Sequence, residues 1–310
     1  MPQRAETDRR YEVFGLLVAS EIALPELLEA KPGAEADVSI RYGTIPATDE
    51  RQGLSIHADG ALLQIEGVAR YWMADGREMV VEPDPAGSER NLRLYLLGSA
   101  FAALLHQRTL LPLHANAVVV AGRAIGFMGH PGAGKSTLAA WFHDRGFEVL
   151  ADDVCLVTGS GSGAPLAHAG IPRLRLWNEA LEASGRRAQD YERSFDDMEK
   201  YTVPTHSALT RRTVPLSHLY VLEKAADGDA GEVARLRGSD AVEALVANTY
   251  RGAYVPLMGR TREHLMACAA LAAAVPVFRA PRRWSLASFD EEARALEAHA
   301  RRLIAAAEGG

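Results

Sequence analysis

The chain has 310 residues, of which 48% are hydrophobic, and its formal net charge of -6 corresponds to a pI of about 6.0. This balance predicts a globular protein with one large core or two smaller ones, and the net negative charge gives no general basic field for nucleic acid. Residues 1–10 lack the apolar core of a signal peptide, and no apolar run reaches the roughly 20 residues of a membrane-spanning helix. We therefore expect a soluble cytoplasmic protein that binds neither nucleic acid nor a membrane, with Cys155 and Cys268 as free buried thiols.

Residues 11–82 have the pattern of short β-strands separated by turns. The pairs Asp59-Gly60 and Asp75-Gly76 lie between apolar runs, where a hairpin turn needs residues that tolerate positive φ. We predict a meander of antiparallel strands in this region, without a catalytic motif. Two prolines and a glycine at 83–87 break both helices and strands. They mark a predicted boundary between an N-terminal β-rich region, 1–87, and a second domain, 88–310.

The second domain begins with a predicted helix over residues 88–109, which carries leucine and alanine along one stripe. The elements that follow alternate in type: a strand over 113–120 that contains His114, a strand over 124–128, a helix over 135–145 and a strand over 147–151. This alternation predicts an α/β domain.

A glycine-rich loop between the second of these strands and the helix fits the phosphate-binding pattern G-x-x-x-x-G-K-[ST] at every fixed position. Glycines let the backbone turn so that successive N–H groups face phosphate oxygens, and the start of the helix adds partial positive charge. The loop lysine supplies a full charge to the β- and γ-phosphates, and the serine hydroxyl is a ligand for Mg²⁺. We predict a site for ATP and Mg²⁺ formed by Gly129, His130, Pro131, Gly132, Ala133, Gly134, Lys135, Ser136 and Thr137.

Two adjacent acids, Asp152 and Asp153, follow the strand that comes after the loop helix. Neighbouring carboxylates repel each other unless a cation or a shared proton relieves them. One of the two could organise Mg²⁺ while the other accepts a proton from an attacking hydroxyl. The alternative is a pair of solvated acids that simply closes the strand. His114 is likewise either a core residue of an apolar strand or a member of the same site.

Together, His114, the loop at 129–136 and the pair Asp152-Asp153 resemble the kinase domain of the HPr serine kinase/phosphorylase family. That family has a histidine on the strand before a phosphate loop, and an Ala-Asp-Asp sequence on the strand after the loop helix. Here the histidine precedes the loop lysine by 21 positions and the second aspartate follows it by 18, and both spacings match the family pattern. The resemblance covers roughly residues 110–280.

The resemblance implies Mg²⁺-ATP-dependent phosphorylation of a serine on a small protein or peptide. It also implies a P-loop core with a mixed sheet, of the type shared with phosphoenolpyruvate carboxykinase. In this scheme Asp153, helped by Asp152, accepts the hydroxyl proton, and Lys135 holds the transferring phosphoryl group. His114 supports charge near the γ-phosphate, and Ser136 and Asp152 are the metal ligands.

Three departures from the family pattern predict a kinase without the reverse phosphorylase reaction. Thr137 stands where the bifunctional enzymes usually have Glu. The stretch at 172–177 corresponds to the family's Glu-Ile-Arg-Gly segment and contains no acid. The downstream loop of the family has no clean counterpart, and Arg260 is assigned to its arginine.

Short segments at 11–16, 24–27 and 171–177 resemble HPr-kinase-like proteins encoded with ribosomal peptide pathways, some of which phosphorylate the C-terminal serine of a lasso-peptide precursor. Such a peptide is therefore the expected partner. Lys200 is either a further phosphate contact or a solvated side chain. Two other functions stay open, namely a small-molecule phosphotransferase and a non-catalytic ATP-dependent regulator or scaffold. The chain could act as a monomer or as a homo-oligomer.

Overall fold

The computed structural model describes residues 9–31, 33–46, 52–159, 163–195, 198–205, 212–225, 231–283, 285 and 287–309. Helices and strands are mixed along the chain, as the predicted α/β class requires, and they form two compact units. The first unit comprises Met1–Thr109 with Ala253–Arg260, and the second comprises Leu110–Gly252 with Thr261–Gly310. None of the described helices combines the length and the apolar composition needed to cross a membrane.

The described helices are α1 (Glu89–Tyr95), α2 (Phe101–Gln107), α3 (Lys135–Asp144), α4 (Asn178–Ala183), α5 (Gly238–Ala247), α6 (Tyr254–Leu257), α7 (Thr261–Ala274) and α8 (Phe289–Glu308). The strands of the first unit are β1 (Arg9–Val13), β2 (Leu16–Ser20), β3 (Leu28–Glu29), β4 (Val38–Tyr42), β5 (Gly53–His57), β6 (Gly60–Ile65), β7 (Ala69–Ala74) and β8 (Glu78–Pro83). The strands of the second unit are β9 (Leu111–Leu113), β10 (Ala115–Val120), β11 (Arg123–Met128), β12 (Glu148–Ala151), β13 (Cys155–Thr158), β14 (Leu166–His168), β15 (Arg173–Trp177), β16 (Glu192–Phe195), β17 (Met198–Pro204), β18 (Thr213–Lys224), β19 (Ala234–Leu236) and β20 (Val277–Arg282).

The strands of the first unit form one sheet in the order β3-β1-β2-β4-β8-β7-β6-β5. Strands β5 to β8 are an antiparallel meander, so the hairpins predicted at Asp59-Gly60 and Asp75-Gly76 are confirmed. The prediction of a wholly antiparallel meander is wrong, because β4 pairs in parallel with both β2 and β8. Turn motifs report only on strands adjacent in sequence, whereas a parallel pair needs a long connection without a local signal.

The helical segment after β8 belongs to the first unit. Ser88 Oγ accepts a hydrogen bond of 3.2 Å from the Asn91 N–H and so caps α1, and a π-helical turn, Leu96–Ala100, joins α1 to α2. The buried Tyr71 hydroxyl of β7 donates a 2.8 Å hydrogen bond to the Leu92 carbonyl of α1. The structure therefore divides the chain after Thr109, and the break predicted at Gly87 is a turn inside the first unit.

A nine-stranded mixed sheet forms the centre of the second unit, with the main path β12-β10-β11-β18-β14-β13-β9. Strand β18 also pairs with β20, and β11, β18 and β20 run parallel, so their carboxyl ends lie along one edge. Helices α3 and α8 contribute to the core on one face of this sheet. In that core the ring of Phe127 lies 5.5 Å from Tyr220 and 5.7 Å from Phe142 of α3. This packing fixes the start of α3 against the end of β11.

A second, three-stranded sheet with the order β15-β17-β16 completes this unit. Leu174, Leu176 and Val203 are buried in the same core as α3. Successive side chains of a strand face opposite sides, so Arg173 and Arg175 of β15 lie on the other face.

Candidate nucleotide and phosphoryl-transfer site

The glycine loop connects the end of β11 directly to the start of α3, as the sequence predicts. Gly129 has φ of 141°, and a Cβ at this position would lie 2.6 Å from the Leu222 carbonyl oxygen of β18. Gly134 caps α3 in a left-handed conformation, with φ of 82°. Both positions therefore require glycine, the first for space and the second for its backbone conformation.

Lys135 folds back over its own loop. Its Nζ donates hydrogen bonds of 2.7 Å to the Gly129 carbonyl and 3.3 Å to the His130 carbonyl, and the residue is buried. Burial lowers the pKa of this ammonium, and the carboxylates of Asp153 and Asp152 act in the opposite direction. An ammonium held inside a loop of backbone N–H groups is suited to a phosphate chain, which supplies the negative charge that the loop itself lacks.

Asp152 is buried at the end of β12, and both of its carboxylate oxygens accept hydrogen bonds. Ser136 Oγ donates to one oxygen at 3.0 Å, and the Arg175 backbone N–H donates to the other at 2.6 Å. Burial and the charge of Asp153 raise the pKa of Asp152, while Lys200 and the two hydrogen-bond donors lower it. In the described part of the chain, no cluster of three His, Cys, Asp or Glu side chains could hold a metal ion.

The Ser136–Asp152 pair nevertheless fits Mg²⁺ bound together with a nucleotide. Magnesium prefers oxygen ligands and usually takes only one or two from the protein, the others coming from phosphates and water. A hydroxyl and a carboxylate 3.0 Å apart, at the first turn of α3, are a donor set of that kind. These two residues would hold the ion, as the sequence predicts.

Asp153 lies between a cation and a histidine. Arg175 Nη1 donates a 3.2 Å hydrogen bond to Asp153 Oδ2, and His114 Nδ1 lies 3.4 Å from Oδ1. Burial alone would raise the pKa of Asp153, but the positive charges of Arg175 and Lys200 hold it below its usual value. The carboxylate is therefore ionised at neutral pH. Its backbone is left-handed, with φ of 75°, a conformation that costs energy for any residue except glycine.

His114 lies at the bend between β9 and β10, and the prediction that it lies inside a continuous strand is wrong. Its backbone N–H donates a 2.7 Å hydrogen bond to the Asn248 carbonyl, so the chain changes strand partners at this residue. The ring Nδ1–H donates to the Asp153 carbonyl at 3.0 Å. Burial lowers the pKa of His114, although the Asp153 charge opposes this, so the neutral ring keeps Nε2 as a hydrogen-bond acceptor.

The structure thus brings five predicted residues into one cluster: His114, Lys135, Ser136, Asp152 and Asp153. The remaining loop residues, His130, Pro131, Gly132 and Ala133, lie between the end of β11 and the cap of α3, and Thr137 is in the first turn of that helix. Arg260 is different, because it belongs to the first compact unit. There it is exposed, and its backbone N–H donates a 3.0 Å hydrogen bond to the Val255 carbonyl. Its assignment to the site stays a prediction.

Two residues at this site had no assigned role in the sequence analysis. Arg175 bridges the two aspartates, and the alternation of polar and apolar residues at 173–176 was the signal that it faces away from the core. Asn248 ends α5, and its Oδ1 accepts a 2.8 Å hydrogen bond from the Gly129 N–H. Because the same residue's carbonyl binds the His114 N–H, Asn248 aligns the loop with the histidine. No local motif marks it.

Lys200 of β17 is close enough to this cluster to affect its electrostatics. Burial and the Arg175 charge lower the pKa of Lys200, and both aspartates raise it. Its Nζ lies 5.7 Å from the centroid of the exposed Trp177 ring, across the β15–β17 pair. Because the Lys200 side chain lies among the charged groups of the site, its position favours a phosphate contact over a solvated lysine.

Comparison with known proteins shows distant similarity to solved structures. No family model matches the chain, and no curated protein matches it. Among solved structures, the chain is similar to the Hpr(Ser) kinase/phosphatase from Coxiella burnetii, with 11% sequence identity and a TM-score of 0.38. The similarity covers 64% of this chain and 93% of that one. At these values it adds no weight to the site, which is defined here by its own contacts.

Proposed function

We propose that the chain is a Mg²⁺-ATP-dependent serine kinase that phosphorylates a small protein or peptide. One observation carries this proposal: an ionised carboxylate, Asp153, lies beside the Ser136–Asp152 pair and the loop lysine, held by Arg175 and His114. In-line phosphoryl transfer requires mainly positioning and charge neutralisation, together with a base for the acceptor hydroxyl. This cluster supplies each of those functions.

In the proposed reaction, Asp153 accepts the proton of the serine hydroxyl while the serine oxygen forms a bond to the γ-phosphorus. The bond from that phosphorus to the bridging oxygen breaks, and ADP leaves. Lys135 and the loop N–H groups bind the phosphate chain, and Mg²⁺, when bound, neutralises part of its charge. Arg175 orients the Asp153 carboxylate, and neutral His114 holds the Asp153 backbone carbonyl. Arg175 also fixes Asp152 through its backbone N–H.

The acceptor that we propose is the C-terminal serine of a ribosomal peptide precursor of the lasso type, modified in the cytoplasm. Support comes from the sequence resemblance of the segments at 11–16, 24–27 and 171–177. Residues 172–177 include β15, which supplies Arg175 to both aspartates and Trp177 to the exposed surface beside Lys200. Kinase activity without the reverse reaction fits the absence of an acid from this strand.

Incubation with Mg²⁺ and ATP labelled at the γ-phosphate, followed by mass spectrometry of candidate peptides, tests the proposal. We expect label on a serine of the precursor peptide, and none on a matched peptide in which that serine is alanine. Label that moves to a small metabolite would favour a small-molecule phosphotransferase. Nucleotide binding without transfer to any acceptor would favour a regulator or scaffold, and either result would contradict the kinase.

A further inference from the structure

Arg282 is a buried cation at the end of β20, on the edge of the sheet that carries the glycine loop. Its side chain is 5% exposed, and its Nε donates a 3.2 Å hydrogen bond to Glu292 Oε2. Its terminal nitrogens, Nη1 and Nη2, have no hydrogen-bond partner among the described residues. A guanidinium has five N–H donors, and the described residues pair one of those of Arg282.

The guanidinium lies directly beside the cap of α3. A Cβ built on Gly134 would lie 3.6 Å from Arg282 Nη1, which is ordinary van der Waals contact. At this position the unpaired N–H groups of the helix start and its dipole already favour an anion. The Arg282 guanidinium therefore adds a positive charge where the loop and the start of α3 already favour an anion.

Neighbouring residues hold Arg282 in this orientation. Glu292 of α8 also accepts hydrogen bonds from the Arg283 N–H at 3.1 Å, from Arg283 Nε at 3.0 Å and from Ser288 Oγ at 3.2 Å. The Arg282 guanidinium carbon lies 4.9 Å from the centroid of the Phe289 ring. One carboxylate and one aromatic ring thus hold the guanidinium, with its Nη1 beside the cap of α3.

A buried charge destabilises the folded chain unless its hydrogen-bonding groups are satisfied. The Glu292 contact satisfies one of the five donors of Arg282. The planar fork matches two oxygens of a phosphate group, which is the geometry in which arginine binds phosphate most strongly. A phosphate at the loop would accept from donors that the described residues leave unpaired.

The strand order indicates which part of a nucleotide this would be. In the order β12-β10-β11-β18-β20, the loop follows the central strand β11. Asp152 and Asp153, at the transfer end of the site, follow β12 on one side, and Arg282 ends β20 on the other. We infer that Arg282 binds the part of the phosphate chain that remains in ADP, so that the nucleotide lies along the sheet edge with its γ-phosphate towards β12. This inference rests on the proposed nucleotide site.

Calorimetric titration of the full chain with Mg²⁺-ATP, Mg²⁺-ADP and adenosine tests the inference. For Arg282→Gln we expect the affinities for ATP and ADP to fall equally, by about 10- to 100-fold, because hydrogen bonds from a charged group to phosphate are lost. Adenosine binding should change by less than about twofold, because adenosine has no phosphate for Arg282 to bind. Arg279→Gln, on the exposed side of the same strand, is the matched control and should bind like the wild type.

Arg282→Lys keeps the charge and the Glu292 ion pair but lacks the fork, so it tests the inference even if Arg282→Gln does not fold. It should lose part of the affinity for ADP. Wild-type affinity for ADP in a folded Arg282 variant would overturn the inference, and so would a loss confined to ATP, which would place Arg282 at the γ-phosphate. Failure of the wild type to bind either nucleotide would instead overturn the proposed function.

Discussion

The two compact units differ in the kind of polar groups that they bury. In the described part of the first unit the buried polar residues other than tyrosine are Ser20, Ser99 and His106, and Ser20 is satisfied locally by hydrogen bonds with the Ile22 backbone. In the second unit they include charged side chains: Lys135, Glu148, Asp152, Arg282 and Glu292. Because buried charges cost stability unless they are paired, their concentration in one unit supports the placement of the proposed site there. The described part of the first unit buries no Lys, Arg, Asp or Glu side chain.

The largest effect that follows from this difference is on catalysis. Asp153→Asn removes the proposed base but keeps the size of the side chain, so the rate of phosphoryl transfer should fall by about 10²- to 10⁴-fold. Nucleotide affinity should stay within about twofold, because the loop and Lys135 are unchanged. A kinase assay with labelled ATP and titration of the same protein give the two values. Asp144→Asn, at the end of α3, is the control, and a fully active Asp153→Asn enzyme would contradict the role of Asp153.

A smaller effect should come from the residue that aligns the loop. Asn248→Ala leaves the Gly129 N–H without its 2.8 Å acceptor, and an unpaired donor at the base of the loop should weaken ATP binding by about tenfold. Titration calorimetry measures this change. Asn178→Ala removes a comparable side-chain hydrogen bond on the exposed surface of α4 and should bind ATP normally. Equal affinities in the two variants would show that Asn248 has no part in positioning the loop.

The stability of the second unit should depend on pH through a buried histidine. Burial lowers the pKa of His218 to about 3, and its ring is hydrogen-bonded to the Tyr220 hydroxyl at 3.1 Å. The unfolded chain, with a histidine pKa near 6.5, binds this proton more readily, so stability decreases as pH falls from about 6.5 towards 3. His218→Gln should reduce that slope by up to about 1.4 kcal/mol per pH unit. Chemical denaturation at several pH values measures it, and parallel curves for the two proteins would refute the assignment.

The smallest expected effect belongs to the first unit. Tyr71→Phe removes the 2.8 Å hydrogen bond to the Leu92 carbonyl and should lower the free energy of unfolding by about 0.5–1.5 kcal/mol. ATP affinity and transfer rate should be unchanged if this unit is structural. Thermal denaturation and the kinase assay test the two parts separately. A clear loss of nucleotide affinity in a folded Tyr71→Phe protein would break the distinction between the units.

The sequence was sufficient for the parts of the site that are local in the chain. The glycine pattern, the strand before it and the helix after it lie within about twenty residues, and each has its own signal in composition or periodicity. The pair Asp152-Asp153 was also identified correctly as the end of a strand. Such features depend on backbone geometry that neighbouring residues determine.

The parts that were not predicted depend on long-range packing. Asn248 lies 119 positions from the glycine that it binds, and Arg175 reaches Asp153 from a separate sheet. The bend at His114 arises because its N–H pairs with Asn248 instead of a strand. In the first unit, the parallel pairs of β4 were not predicted for the same reason, since no turn motif connects strands that are distant in the chain.

The central claim is that the glycine loop of the second unit binds a nucleoside triphosphate through Lys135. Calorimetric titration of Mg²⁺-ATP into the wild type and into Lys135→Met tests it most directly. We predict saturable binding with one site per chain, and affinity at least about tenfold lower for the variant, because the buried ammonium is the full positive charge inside the loop. Absence of binding to the wild type at millimolar ATP, or equal affinity in the two proteins, would contradict the account.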